Sequence, residues 1–387
     1  MKVIIAPDSF KGSLTAVEVT KSIKKGVINA FPDAETISLP VADGGEGTLE
    51  TLVSATNGEI REVSVVGPLG NKVKAAYGIL GDGKTCIIEM ASASGLALVP
   101  EGKLSPLNAT TFGTGQLIKQ ALDDGFSTFI IALGGSATND GGAGMLQALG
   151  LNILDKEEKE IGYGGGKLEN IARIDMNYFD KRIKDSKFII ASDVQNPLIG
   201  LNGASYIFGP QKGAVPETVK LLDKNISHWA NKVADVTGVY LHDLPGAGAA
   251  GGIGGAFQAF FPVEMKRGID VVLDYIKLDD YLSNADLVIT GEGQVDHQTA
   301  SGKTPLGVAQ AAKRKRVPTI ILAGAVGEDV EVLYEFGVVS VNSIIDKPMT
   351  LNESINHASQ LLEKSAEQIV RSYFYRSING IKGGALI

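Results

Sequence analysis

The chain opens and closes on the same alternation of strand and helix, and that pattern narrows the folds open to it. "KVIIA" (2–6) is a short β-branched run ended by Pro7-Asp8, and reads as a buried parallel strand. Thr15 and Glu18 follow at capping-box spacing, with Ala16, Val19, Ile23, Val27 and Ala30 recurring at helical period behind them. "ETISLPVADGG" is a second strand and "TLETLVSAT" a second helix. From about residue 285 the alternation returns. "ADLVITGEG" is a strand, and "TPLGVAQAAKRKR" a helix with Thr304 as N-cap and Pro305 in its first position. "VPTIILAGAV" and "VVSVNSII" are further strands, before a closing helix "NESINHASQLLEKSAEQIV". Two strands do not make a stable sheet alone, and three make a thin one. Joined, they give a five-strand parallel sheet of order 2-1-3-4-5. The expected fold is therefore α/β: a discontinuous Rossmann-like domain from 1–55 and 285–387, with 56–284 inserted as a second α/β domain.

The insert begins differently. "EIREVSVVG", "KVKAAYGIL" and "TCIIEM" are three extended runs with no helix between them, the last two joined by the hairpin signal Asp82-Gly83. Its sheet is expected to be mixed. The single cysteine, Cys86, lies in one of these strands, allows no internal disulfide, and suits a reducing compartment. The first apolar run has four residues before Pro7, against roughly 7–15 in a secretory leader. No run approaches the ~18 residues of a membrane span. A net charge of −8 argues against nucleic acid as a partner. A cytoplasmic protein with neither nucleic-acid nor membrane partners is expected, its oligomeric state left open.

The 48 glycines in 387 residues exceed the usual ~7%, and they cluster. "ALGGSATNDGGAG" (132–144) follows the strand "STFIIA" and runs into the helix "AGMLQALG". Bare backbone of this kind either cradles phosphate or makes tight turns with no ligand. On the first reading Gly134, Gly135, Ser136, Thr138 and Asn139 contact phosphate or nucleotide, with Asp140 a further donor or metal ligand. "FGPQKGA" sets Lys212 between glycines for the same purpose, and "ASDVQNP" ends another strand with Asp193. Asp193 is either a general base for a hydroxyl or a turn-forming aspartate.

In an open doubly wound sheet, ligands sit at the carboxyl ends of the strands where the strand order reverses. Two polar loops converge there in the expected order, "APDSFKGS" (6–13) and "TGEGQVDHQTASGKT" (290–304), with "ADGGEGT" (42–48) on the same edge. Asp43, Glu46, Glu292 and Asp296 are the candidate metal ligands, and Asp8 and Lys11 join Asp193 as candidate catalytic groups. Acids beside glycine and lysine suit a site where Mg²⁺ bridges a polyphosphate. Each acid taken singly is as readily an Asx-turn or a helix cap. "ASGKT" is not a Walker A motif, because His297 stands where that motif requires glycine. Gly302, Lys303 and Thr304 still mark a helix N-terminus, where free N–H groups favour an anion.

Seven stretches in order carry a resemblance: "APDSFKGSL", "PVADGGEGT", "ALGGSATNDGGAGM", "SDVQNPL", "FGPQKGA", "PGAGAAGGIG" and "DLVITGEGQVDHQTASGKTP". Together they resemble the bacterial glycerate kinases that lack a P-loop, over residues 1 to about 345. The resemblance implies ATP-dependent phosphorylation of D-glycerate, commonly at the 2-hydroxyl, in a cleft between two α/β domains that close to exclude water. ATP and Mg²⁺ are the implied cofactors. It assigns no individual roles. Two rival readings remain at this point, a Mg²⁺-dependent phosphatase or isomerase of a small phosphorylated acid, and a two-domain small-acid binding protein.

Overall fold

A computed structural model describes residues 1–296, 299 and 303–375. In chain order the strands are β1 (Lys2–Ile5), β2 (Glu35–Ser38), β3 (Glu59–Val66), β4 (Lys72–Ile79), β5 (Thr85–Glu89), β6 (Thr128–Ala132), β7 (Asn152–Leu154), β8 (Arg173–Asp175), β9 (Lys187–Ala191), β10 (Val263–Lys266), β11 (Leu287–Val295), β12 (Thr319–Val326) and β13 (Val338–Ser343). They form a five-stranded sheet of order β13-β12-β11-β1-β2, a six-stranded sheet of order β10-β9-β6-β5-β4-β3, and a β7-β8 ribbon. The chain divides into two compact units, residues 1–43 with 269–387, and residues 44–268.

In the first unit every strand pair is parallel, and the order is the expected 2-1-3-4-5. One face buries Val3, Ile5, Leu287, Ile289, Ile320 and Leu322 under the helices Ala16–Ala30 and Leu351–Tyr373. Both helices start on complete capping boxes, Thr15 with Glu18 and Thr350 with Glu353. They cross closely at Gly26, where a Cβ would lie 2.2 Å from the Glu363 carbonyl oxygen. The other face packs Val295, Ile321 and Ala323 on Leu306 and Ala309 of the helix Thr304–Arg314. Helices on both faces bury both sides of the sheet, as an all-parallel sheet requires.

The second unit has a mixed sheet. β10, β9, β6 and β5 run parallel, and β5-β4 and β4-β3 are antiparallel. The turn between β4 and β5 closes on the Gly83 N–H to Leu80 carbonyl bond, with Gly83 at φ +64. The helix Thr48–Thr56, which the sequence groups with the first two strands, lies in this unit: Leu49 and Val53 pack where a Cβ on Gly78 of β4 would stand. Residues 269–284 belong to the first unit, Ile269 packing against Gly307. Phe129 and Phe188 stack at 4.7 Å in the core of the second unit, and Trp229 donates to the Gly141 carbonyl at 3.0 Å. No helix among the described residues is long and apolar enough to cross a membrane.

Candidate active site

At the strand-order reversal of the first unit, the chain leaving β1 stays alongside β11. Ala6 N–H donates to the Ile289 carbonyl and Asp8 N–H to the Gly291 carbonyl, both at 2.8 Å. β11 is longer than the sequence suggests. Gln294 and Val295 lie beyond the strand "ADLVITGEG" and, like Gly291 and Glu292 within it, are paired with β12. A Cβ on Gly291 would lie 2.0 Å from the Leu322 carbonyl oxygen, so glycine here admits a close neighbouring strand and does not mark a turn.

Asp8 is the centre of this edge. Its carboxylate accepts from Ser9 N–H at 2.6 Å and from the Thr304 hydroxyl at 2.5 Å. Thr304 was expected to cap the helix it opens. It is instead the first helical residue, with Lys303 in the cap position, and its hydroxyl is committed to Asp8. Burial, then the charge of Asp43, raise the Asp8 pKa to about 6 against these hydrogen bonds. Burial likewise raises Glu292 to about 7, with Asp8 and Asp43 adding to the shift while Thr299 and Lys303 oppose it. The Thr299 hydroxyl donates to Glu292 at 2.6 Å. Asp8, Asp43, Glu292 and Lys303 thus form one electrostatic group in the first unit. Asp296 accepts from Gln294 at 3.1 Å in the turn closed by Thr299, and Lys11 lies exposed on the Phe10–Leu14 turn. Gly302 and His297 lie outside the described residues.

The second unit gathers glycine loops at the carboxyl ends of its parallel strands. Asp43 is followed directly by Gly44, which packs on Gly268 and Ala191; Gly45 in turn lies against Gly134. Asp193, exposed just beyond β9, accepts the Gly268 N–H on Oδ1 at 3.1 Å. Glu46 is exposed and belongs to this unit, where its charge is felt by Glu89. Glu89 ends β5 and accepts the Leu49 N–H at 2.7 Å, with Gly47 and Thr48 also donating. It thereby caps the helix Thr48–Thr56, and burial raises its pKa to about 7. Sequence reading missed Glu89; its one local mark is an acid closing an apolar strand.

The loop after β6 divides into an open part and a buried part. Gly135 is exposed at φ +71, and the N–H groups of Gly134, Gly135 and Ser136 have no acceptor among the described residues. Consecutive free N–H groups around a left-handed glycine form a concavity suited to an anion. Beyond it, Ser136, Thr138, Asn139 and Asp140 are all buried. Asn139 donates to Ser205 at 2.9 Å, so its amide faces inward, and Thr138 Oγ1 and Asn139 Oδ1 have no partner among the described residues. Asp140 is an organiser of the loop. It accepts from Thr111 N–H and hydroxyl at 2.8 and 2.9 Å and from Gly142 and Gly144 N–H at 3.2 and 3.3 Å. Burial raises its pKa against those four donors. Lys212 is 1% exposed; its ammonium donates to Ser136 Oγ at 2.8 Å and to the Thr138 carbonyl at 2.7 Å. Burial lowers its pKa to about 7, opposed by the charge of Asp140.

No group of three or more His, Cys, Asp or Glu among the described residues is assembled as a metal cage. Mg²⁺ at a polyphosphate is held by one or two carboxylates plus phosphate oxygens, so a full cage is not what such a site needs. The mutual charge of Asp8, Asp43 and Glu292 fits that donor set, because a cation relieves it.

The glycerate kinase family profile matches residues 3–374. The chain is 51% identical to the Haemophilus influenzae glycerate kinase over 96% of its length and 98% of that protein. It is 50% identical to the Escherichia coli glycerate 2-kinase over 95% of its length and 97% of that protein. The crystal structure of a Salmonella typhimurium LT2 protein provisionally named glycerate kinase 2 is 46% identical, with a TM-score of 0.88 over 97% of this chain and 99% of that one. A match of such extent, on a fold with these loops at its strand ends, places the chain in the glycerate kinase family, enzymes that transfer a phosphoryl group to a hydroxyl.

Proposed function

We propose that the protein phosphorylates D-glycerate with ATP and Mg²⁺ at the 2-hydroxyl, with residues of both units contributing to catalysis. The observation that carries this reading is the run of free N–H groups at Gly134, Gly135 and Ser136 at the end of β6. Phosphoryl transfer asks for positioning and charge neutralisation more than for covalent chemistry by the protein. A backbone concavity supplies both to phosphate oxygens without a side chain that must be ordered. The helix beginning at Thr304, with Lys303 in its cap position, offers a second anion site on the first unit.

Bound Mg²⁺ would neutralise phosphate charge, and one or two carboxylates drawn from Asp8, Asp43 and Glu292 would hold it. Glu46, exposed in the second unit, and Asp296, in the loop after β11, are further candidates. Asp193 is the base that accepts the glycerate hydroxyl proton as oxygen attacks the γ-phosphorus and ADP leaves. Its exposed position and the Gly268 N–H on one oxygen orient the carboxylate for that task. Lys11, exposed on its turn, is available to the substrate carboxylate. An assay that couples ADP release to NADH oxidation tests the reading: turnover with D-glycerate and little with glycerol supports it. Equal rates with the two would show that no group recognises the carboxylate.

A further inference from the structure

Lys212 is the one lysine among the described residues that is fully buried, and its surroundings define what it does. A buried ammonium is costly unless its protons are hydrogen-bonded. Two acceptors for Lys212 come from the glycine loop itself, Ser136 Oγ and the Thr138 carbonyl, 76 and 74 residues away in sequence. On the near side of Ser136 are the three free N–H groups; on the far side Asp140 fixes the loop's exit with four hydrogen bonds. Lys212 itself is set rigidly, on a short helical turn Pro210–Lys212 ended by Gly213 at φ +91. A Cβ on Gly213 would lie 2.7 Å from Leu104 Cβ, which leaves little room for the turn to shift.

From this arrangement we infer that Lys212 is a positioning residue, whose ammonium pins Ser136 and Thr138 from inside so that the N–H groups of 134–136 stay aimed outward at phosphate. It does not touch nucleotide or glycerate. The inference rests on the reading of 134–136 as the phosphate cradle, and it differs from the expectation that a lysine between glycines binds phosphate directly. Lys212→Met removes the charge at similar length and leaves the Thr138 carbonyl and Ser136 hydroxyl without their donor. A loosened cradle lowers the rate of transfer more than it weakens binding, because displacement of about 1 Å at a reacting centre costs roughly 100-fold.

The test has two arms. In the first, Lys212→Met is compared with wild type in steady-state assays and by circular dichroism. A fall in kcat of roughly 100-fold, with KM for ATP and for glycerate held within about threefold, is expected. A tenfold or greater rise in KM for ATP at unchanged kcat would overturn the inference in favour of direct contact; full activity would overturn it as inert. The second arm uses the wild-type enzyme and needs no variant to fold. Lysines are reductively methylated with and without ATP and glycerate, and Lys212 is read by mass spectrometry. It is expected to stay unmodified in both states. Modification in the free enzyme that ATP suppresses would place the ammonium at the ligand and overturn the inference. Wild type that fails to turn over glycerate would count against the proposed function alone, since the labelling pattern is read without activity.

Discussion

Gly134 and Gly45 meet backbone to backbone, so that a Cβ on Gly134 would lie 2.6 Å from Gly45 Cα. The contact joins two glycine loops about ninety residues apart at the carboxyl edge of one sheet. It also explains why neither loop carries bulk: each is the other's packing surface.

Gly134→Ala should therefore force the two loops apart. Overpacking of this kind costs typically 1–3 kcal/mol, a loss that urea denaturation would register. Activity should fall as well, on the order of 100-fold in kcat, because the displaced backbone carries the proposed phosphate N–H groups. A variant with normal kcat would show that the 134–136 backbone is not part of the reacting geometry.

Glu89 yields a prediction about pH. Its pKa rises from 4.5 to about 7 on folding, so between those values the folded protein binds a proton that the unfolded chain has released. Stability from this group is fully present below pH 4.5 and is lost as pH rises through about 7. Glu89→Gln has no such dependence. The stability of wild type relative to Glu89→Gln should accordingly improve on going from pH 8 to pH 5, read from paired denaturation curves. A constant difference across that range would contradict the burial argument.

Much of the fold was legible because its signals are local. Apolar runs alternating with helices at both ends of the chain gave the parallel order, and Asp82-Gly83 gave the antiparallel step between β4 and β5. The site was legible only in part. Gln294 and Val295 read as polar loop after the strand, and only the neighbouring β12 backbone makes strand of them. The capping role of Glu89 depends on an N–H forty residues away. Lys212 sits in a glycine-flanked stretch that reads as a phosphate contact, while its buried ammonium is engaged by Ser136 and Thr138, far off in sequence. Thr304 carries a clear capping signal that Asp8, nearly three hundred residues away, takes over.

Asp193→Asn keeps the shape of the side chain and removes its charge. If Asp193 is the base, kcat should drop by roughly 10²–10⁴-fold while ATP binding, followed by fluorescence titration, changes little. Near-normal turnover in this variant, alongside loss of activity in Asp8→Asn, would move the base to Asp8 or remove it from the mechanism.

The most direct test of the central claim follows the reaction of D-glycerate, ATP and Mg²⁺ by ³¹P NMR. The account predicts a new phosphomonoester signal that appears as ATP is converted to ADP and is split into a doublet by the single proton on C2. A triplet would mark transfer to the CH₂–OH at C3 and contradict the assigned position. ATP unchanged in the presence of D-glycerate, Mg²⁺ and folded protein would contradict the account itself.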